Sequence, residues 1–281
     1  MGSVLITGAS RGIGRAAALG LAHDGWDVYA GVRRETDGAD LGAEGGPRLV
    51  PIPLDVTDDQ QIAALVDRLP ERLDAVVNNA GIVVDGPLEA IAADRLRAQL
   101  ETNVVGPLAV TQAVLPRIRA SRGRILFISS VSGRISAPMM GAYNASKFAI
   151  EGIADALRVE LAPWGIRVIV VQPTSTDTAL WRDALDTVQR TEAELGDEHR
   201  RLYAKHLEGA RRLTRMIQKR AMPVERVVET IERALTDEHP RARYPVGAST
   251  KAQLALFALS PTRAKDVMLG RASGIPRKLD G

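Results

Sequence analysis

Three side chains of different chemistry stand at a spacing suited to moving a proton at a carbonyl oxygen. Ser130 lies thirteen residues before Tyr143, and Lys147 follows Tyr143 by four. If Tyr143 opens a helix, the four-residue step puts the phenol and the ammonium on one face, one turn apart. A phenol with an ordinary pKa of about 10 is a poor acid–base catalyst at neutral pH. A fixed ammonium one turn away favours the phenolate and pulls that pKa toward the working range. The Ser130 hydroxyl can hold the carbonyl oxygen while Tyr143 passes it a proton. A Tyr–Lys pair at this spacing also arises by chance on ordinary helices, so its meaning depends on what surrounds it.

The flanking sequence supplies the elements that would bring these groups together. Arg124 to Ser130, RILFISS, reads as a buried strand that delivers Ser130 at its C-terminal end. The helix beginning near Tyr143 carries Phe148, Ile150, Ile153, Leu157 and Leu161. Upstream, Val4 to Thr7 is an apolar strand, followed by a turn holding Gly8, Ser10, Arg11, Gly12, Ile13 and Gly14 and by a helix from about Ile13 to His23. Strand, glycine turn and helix together make a phosphate site: glycine lets the backbone approach a pyrophosphate, and the helix N-terminus favours the anion. The spacing is G-x-x-x-G-x-G rather than the common G-x-G-x-x-G.

A second strand, Asp27 to Val32, ends in Val32-Arg33 where an NAD enzyme presents an acid for the ribose 2′-hydroxyl. Arg33 and Arg11 suit a 2′-phosphate instead, so the expected cofactor is NADP(H) rather than NAD(H). Glu35 to Pro47, rich in Gly and Asp, reads as a loop. Arg48 to Leu54 is a third strand, leading into Asp55 and Val56, then a helix from Asp58 to Leu69 with Thr57 as N-cap. A fourth strand, Ala75 to Val77, runs into Asn78-Asn79-Ala80-Gly81, small and amide residues that suit a flat ligand. Asn103 falls inside a helical stretch from about Asp94 to Arg119, with Pro107 and Pro116 as irregularities; its buried amide requires a water or a main-chain carbonyl. Arg167 to Val171 is another buried strand. Strands alternating with helices imply an α/β fold: one Rossmann domain with a doubly wound, mostly parallel sheet and helices on both faces.

Composition agrees with a globular enzyme and removes several alternatives. Of 281 residues, 45% are hydrophobic and 25% charged, enough to bury a core without staples. The chain has no cysteine, which excludes disulfides, a Cys-based zinc site and a thiol nucleophile. The N-terminus enters a strand at once, leaving no room for a signal peptide, and no apolar run reaches the roughly 20 residues that span a bilayer. A cytoplasmic location is the expectation. The net charge of +3 is too mild to argue for nucleic acid. His23, His199, His206 and His239 are dispersed, so no catalytic metal is expected.

These pieces resemble the short-chain dehydrogenase/reductase family. They are TGASRGIG from Thr7 to Gly14, Asp55-Val56, NNAG from Asn78 to Gly81, Asn103, Ser130, YNASK from Tyr143 to Lys147, and Pro173 with Thr178, in the family's order over Ser3 to Thr178. The resemblance implies a catalytic tetrad of Asn103, Ser130, Tyr143 and Lys147. Tyr143 would be the acid in reduction and the base in oxidation, Ser130 would steady the carbonyl oxygen, Lys147 would also bind the nicotinamide ribose, and Asn103 would hold a water in a proton relay. Gly8, Gly12 and Gly14, with Ser10 and Ile13 in the same turn, would cradle the pyrophosphate. Arg11 and Arg33 would take the 2′-phosphate, Asp55 and Val56 would flank the adenine, and Asn79, with Ala80 and Gly81, would lie near the adenine-side ribose. Pro173 and Thr178 would line the nicotinamide side. One departure is Thr174, where the family has glycine, which puts the path of that loop in question.

By the same resemblance, residues 179–222 form an extended substrate lid, with Trp181, Leu185, Leu195, Leu202, Tyr203 and Leu207 along it, and 248–281 a helical extension within the single domain. The cluster Arg211, Arg212, Arg215, Lys219 and Arg220 reads as a solvated helix face. Pro223 to Leu235 is a helix and Tyr244 to Val246 the last strand. The apolar stretches Lys251 to Leu259 and Val267 to Leu269 are short enough to cover a pocket, meet another subunit or graze a membrane surface, with burial over a pocket or against a subunit the expectation. VYAGVRR and ELAPWGIRV are similar to the hydroxysteroid and retinol dehydrogenase-like branch, which implies an apolar alcohol or ketone. A homodimer or homotetramer through the Asn103 and Tyr143 helices is implied as well. Against this oxidoreductase reading stand a non-catalytic NADP(H)-binding redox sensor, and isomerisation or dehydration on the same scaffold.

Overall fold

Along β1 (Ser3–Ile6), Val4 and Ile6 join one apolar cluster and Leu5 the other, the alternation of a strand buried on both faces. On one face Val28, Ala30, Val77 and Ile169 meet Ala17, Ala18 and Leu21 of α1 (Gly12–His23) and Val227 and Ile231 of the helix Val224–Thr236. On the other, Val76, Ile125, Phe127 and Val170 meet Val110, Val114 and Ile118 of α6 (Gly106–Ser121) and Ile150 and Ala154 of α7 (Gly141–Glu160). Each fully buried Leu, Ile or Phe contributes roughly 1.5–3 kcal/mol relative to exposure.

The computed structural model describes residues 2–178 and 182–275. Seven parallel strands run in the order β3-β2-β1-β4-β5-β6-β7. The remaining strands are β2 (Asp27–Val32), β3 (Leu49–Pro53), β4 (Ala75–Asn78), β5 (Arg124–Ile128), β6 (Arg167–Gln172) and β7 (Arg243–Pro245). The order reverses between β1 and β4, which opens a crevice beyond their carboxyl ends. The sheet is therefore the doubly wound α/β architecture expected from the sequence.

Several local expectations are corrected. Glu35–Gly45 is a helix, α2, and not a loop. Its glycines allow close packing: a Cβ on Gly38 would lie 3.1 Å from Pro51 and one on Gly42 3.2 Å from it, while Leu41 is fully buried. The helix after β3 is capped by Asp58, whose carboxylate accepts from the N–H groups of Gln60 and Gln61, not by Thr57. That helix is split into α3 (Asp59–Ala63) and α4 (Leu65–Arg68). The long helix around Asn103 divides into α5 (Ala93–Leu100) and α6, joined by a π-helical turn at Glu101–Val105, so the irregularity lies at Asn103 and not at the prolines.

Among the described residues between β6 and β7 are the helices Ala184–Glu194, Asp197–Leu202 and Ala204–Gln218, ahead of Val224–Thr236. Trp181 lies outside the described residues. These helices tie to the segment after β4 and to α5: Thr191 donates to Asp85 at 2.8 Å, the Tyr203 hydroxyl donates to Glu89 at 2.6 Å, and Arg95 of α5 pairs with Glu194 at 2.5 Å. Ala248–Leu259 and Thr262–Ala272 follow β7. Contrary to the expectation of burial over a pocket, Leu256 and Leu259 are 57% and 87% exposed in the single chain. No helix among the described residues is long and apolar enough to cross a membrane.

Candidate functional site

The crevice at the strand reversal is lined by Gly8, Ser10, Arg11, Gly12, Ile13, Arg33, Asp55, Val56, Asn79, Ala80, Gly81, Asn103, Ser130, Tyr143, Lys147, Pro173 and Thr178. Residues from eight separate stretches, expected from sequence to act together, thus border one space. Gly14 is the exception. It packs beneath the turn, where a Cβ would come within 2.4 Å of both the Gly8 carbonyl and the Asn79 amide.

The turn after β1 is shaped for an anion. Gly8 and Gly12 have φ of 65° and 59°, left-handed values that suit glycine, and a Cβ on Gly8 would meet the Ala80 backbone at 2.8 Å. No side chain caps the N-terminus of α1, whose first residues Gly12 and Ile13 border the crevice. Thr7, fully buried, holds the turn to the NNAG loop by accepting from the N–H groups of Asn79 and Ala80, each at 3.0 Å. The Asn79 amide donates to the carbonyls of Thr7 and Gly8 at 3.0 and 3.2 Å. Arg11 and Arg33 both border the crevice, and neither forms an ion pair among the described residues, whereas Arg34 is held by Asp37 at 2.8 Å. Both arginines lie near enough to Asp37 to help lower its pKa, after the larger effect of its hydrogen bond from Arg34. A glycine cradle, an uncapped helix start and two unpaired guanidinium groups fit a phosphorylated dinucleotide.

The reactive groups come from β5, α7 and the π turn. Ser130 follows β5, and its Oγ accepts from the Ser132 N–H at 3.1 Å, so its own proton remains available to donate. Tyr143 lies in the first turn of α7, and Lys147 lies one turn on with Nζ 5.7 Å from the Tyr143 ring centroid. Burial pushes the Tyr143 phenol up to about 12, and the Ser130 hydrogen bond offsets this only in part. Burial also pushes Lys147 down to about 8, against the opposing charge of Glu151. The expectation that the Lys147 ammonium pulls the phenol's pKa toward the working range is therefore corrected: here desolvation dominates at both groups. Lys147 Nζ donates to the Ile128 carbonyl at 2.8 Å. Asn103 satisfies its amide on main chain, accepting from the Ile82 N–H at 2.8 Å and donating to the Ile82 carbonyl at 3.0 Å and to Ser146 Oγ at 3.1 Å.

Thr174 is accommodated without left-handed backbone. Its loop instead pairs with residue 222: Thr176 bridges Met222, and the Met222 N–H donates to the Ser175 carbonyl at 2.9 Å. Thr174 also borders the crevice, as do Leu54, Ile82, Val83, Thr102 and Thr176, which were not singled out from sequence as site residues. Nor were Thr7, Gln99 and Ser146, which brace it from behind. A buried Thr at the end of β1 was the one visible signal among these.

A family model for short chain dehydrogenases matches residues 3–189. A 3-amino-tetrahydro-pyrrolizinone reductase of Xenorhabdus hominickii is 41% identical over 206 residues, which span 72% of this chain and 71% of that protein. Retinol dehydrogenase 5 of Mus musculus is 33% identical over 285 residues, 95% of this chain and 87% of that protein. Among solved structures, a short chain dehydrogenase from Burkholderia cenocepacia J2315 in complex with NADP superposes with a TM-score of 0.74 at 27% identity, over 95% of this chain and 97% of that one. Crevice, matched span and relatives agree: this chain is an oxidoreductase and belongs to the short-chain dehydrogenase/reductase family.

Proposed function

We propose that the protein is an NADP(H)-dependent oxidoreductase that interconverts a carbonyl and an alcohol, with Tyr143 as its acid and base. The observation that carries this reading is that Ser130, Tyr143 and Lys147 border the same crevice as the glycine turn and the two unpaired arginines. When bound, the nicotinamide supplies or takes the hydride. In reduction the Ser130 hydroxyl donates to the carbonyl oxygen, and the Tyr143 phenol, protonated at neutral pH, gives that oxygen its proton. The Lys147 ammonium stabilises the phenolate left behind, and in oxidation the same groups run the proton back. Arg11 and Arg33 favour a 2′-phosphate, which supports NADP(H) over NAD(H). Asn103 positions the π turn against α7 through Ser146. The helices between β6 and β7 act as the substrate lid. Ile82 and Val83 at the crevice wall, together with a relative named a retinol dehydrogenase, support an apolar substrate.

The test is NADPH consumption over a panel of aldehydes, ketones, steroids and quinones, run beside Tyr143→Phe and with both cofactors' dissociation constants. Turnover that falls at least about 100-fold in Tyr143→Phe, the usual worth of a positioned acid, is the expected result. Tighter binding of NADH than of NADPH removes the NADP part of the reading. Tight NADPH binding with no turnover of any carbonyl favours the redox-sensor alternative.

A further inference from the structure

One turn beyond Lys147 on α7 stands Glu151, a carboxylate that is 4% exposed and belongs to no part of the proton path described above. Its two oxygens are both engaged. Oε1 accepts from Gln172 Nε2 at 2.8 Å, at the end of β6, and Oε2 accepts from Arg243 Nε at 2.8 Å, on β7. Arg243 then reaches Asp155, one turn further along α7, with Nη2 at 2.7 and 2.8 Å from its two oxygens. Asp155 also accepts from Arg158 at 2.6 Å. The turn after β5 closes the other side: a Cβ on Gly133 would lie 2.7 Å from Ser129 Oγ, 2.9 Å from Glu151 Cγ and 3.0 Å from the Lys147 carbonyl. The charged and titratable groups around this point are therefore Tyr143, Lys147, Glu151, Asp155 and Arg158 from α7 and Arg243 from β7, with Gln172 and Ser129 as neutral polar neighbours.

Taking a carboxylate out of water costs several kcal/mol, which a single surface-type contact does not recover. A buried Glu held by an Arg from one strand and a Gln from another is over-determined for a packing role. One turn back on the same face of α7 lies Lys147, buried like Glu151, whose ammonium has only the Ile128 carbonyl as a hydrogen-bond acceptor among the described residues. Resting on the oxidoreductase reading, we propose that Glu151 is a positioning residue that keeps Lys147 protonated at neutral pH, with Arg243 and Gln172 fixing its carboxylate. The sign is consistent with the opposing influences on Lys147, where burial lowers the pKa and Glu151 raises it. Arg243 lies outside the Ser3 to Thr178 stretch whose motifs carry the site, so the last strand takes part in setting the proton state of the reactive face.

The experiment reads Lys147 directly. Full-length protein labelled at the lysine ε-carbon is titrated by NMR, the Lys147 signal being identified by its loss in Lys147→Arg. The wild-type signal is expected to titrate near pH 8. Glu151→Gln, which keeps shape and removes charge, is expected to lower that midpoint by about one unit, the usual reach of a nearby opposite charge. It should also move the alkaline limb of turnover down with it. Gln172→Met removes a hydrogen bond, leaves the charge and is expected to leave the midpoint in place. An unmoved midpoint in folded Glu151→Gln overturns the proposal, as does an equal shift in Gln172→Met. If Glu151→Gln does not fold, Asp155→Asn decides. It leaves Arg243 neutralised by Glu151 alone, so a lowered midpoint supports the proposal and an unmoved one overturns it. Because the titration needs no substrate, a wild type that binds NADPH without turnover would favour the redox-sensor alternative while this readout still answers for Glu151 and Lys147.

Discussion

At the scale of single residues, burial governs both members of the reactive pair. Lys147 is held near 8, below its ordinary 10.5. Between those two values the unfolded chain carries a proton that the folded chain does not, so this group makes stability rise with pH across that window. Below about 8 the full cost of the buried ammonium is present. Tyr143, at about 12, acts in the opposite sense, and only above its ordinary value of 10. Lys147→Met removes the first effect. Its melting temperature minus that of the wild type should therefore stay level below about pH 8 and fall as pH rises from about 8 to 10, while turnover is lost throughout. A difference that stays flat over that range contradicts the assigned burial effect.

At the scale of elements, the glycine turn separates two reasons for lacking a side chain. Gly12 needs its left-handed φ, yet a Cβ there would meet only Thr178, at 3.5 Å. Gly14 has no such φ and needs space, with Gly8 and Asn79 each 2.4 Å from an added Cβ. Gly12→Ala is expected to cost about 1–2 kcal/mol, the ordinary penalty for left-handed backbone. Gly14→Ala forces the turn away from the NNAG loop, at about 1–3 kcal/mol, and should also weaken NADPH binding by disturbing the Asn79 clamp. Thermal melts with and without NADPH measure both. Equal stabilisation by NADPH in wild type and Gly14→Ala would contradict the coupling. The same packing logic explains why a Gly-rich stretch such as Glu35–Gly45 is helical: Gly38 and Gly42 face Pro51, Gly45 faces Leu49, and α2 lies close on β3.

At the scale of the whole molecule, large apolar side chains remain exposed on the π turn and α7. Val105 and Phe148 are 48% and 45% exposed and Val159 is 74% exposed. We take this as support for the proposed self-association through these helices. The wild type is expected to sediment as a dimer or tetramer and Phe148→Asp as a smaller species. A monomeric wild type at micromolar concentration would contradict it. The basic cluster near Arg211 is partly neutralised, since Arg211 pairs with Glu192 on a neighbouring helix, in keeping with a solvated face.

Much of this protein was decided locally. Continuous apolar strands such as VLI in β1 and ILFI in β5, each bounded by turn residues, set the order of elements and so the doubly wound sheet. The Ser130, Tyr143 and Lys147 spacing follows from helical and strand periods that any such sequence carries. Those features are legible because they depend on neighbours in the chain. What required the tertiary structure was every choice made by contact between distant segments. The helix at Glu35–Gly45 exists because β3 offers Pro51 as a packing surface. The π turn at Asn103 satisfies an amide on Ile82, about twenty residues away, a partner that sequence cannot select. The proton states of Tyr143 and Lys147 follow from burial beneath loops and strands far along the chain. Glu151 acquires its partners only when β6 and β7, which carry Gln172 and Arg243, come to lie beside α7.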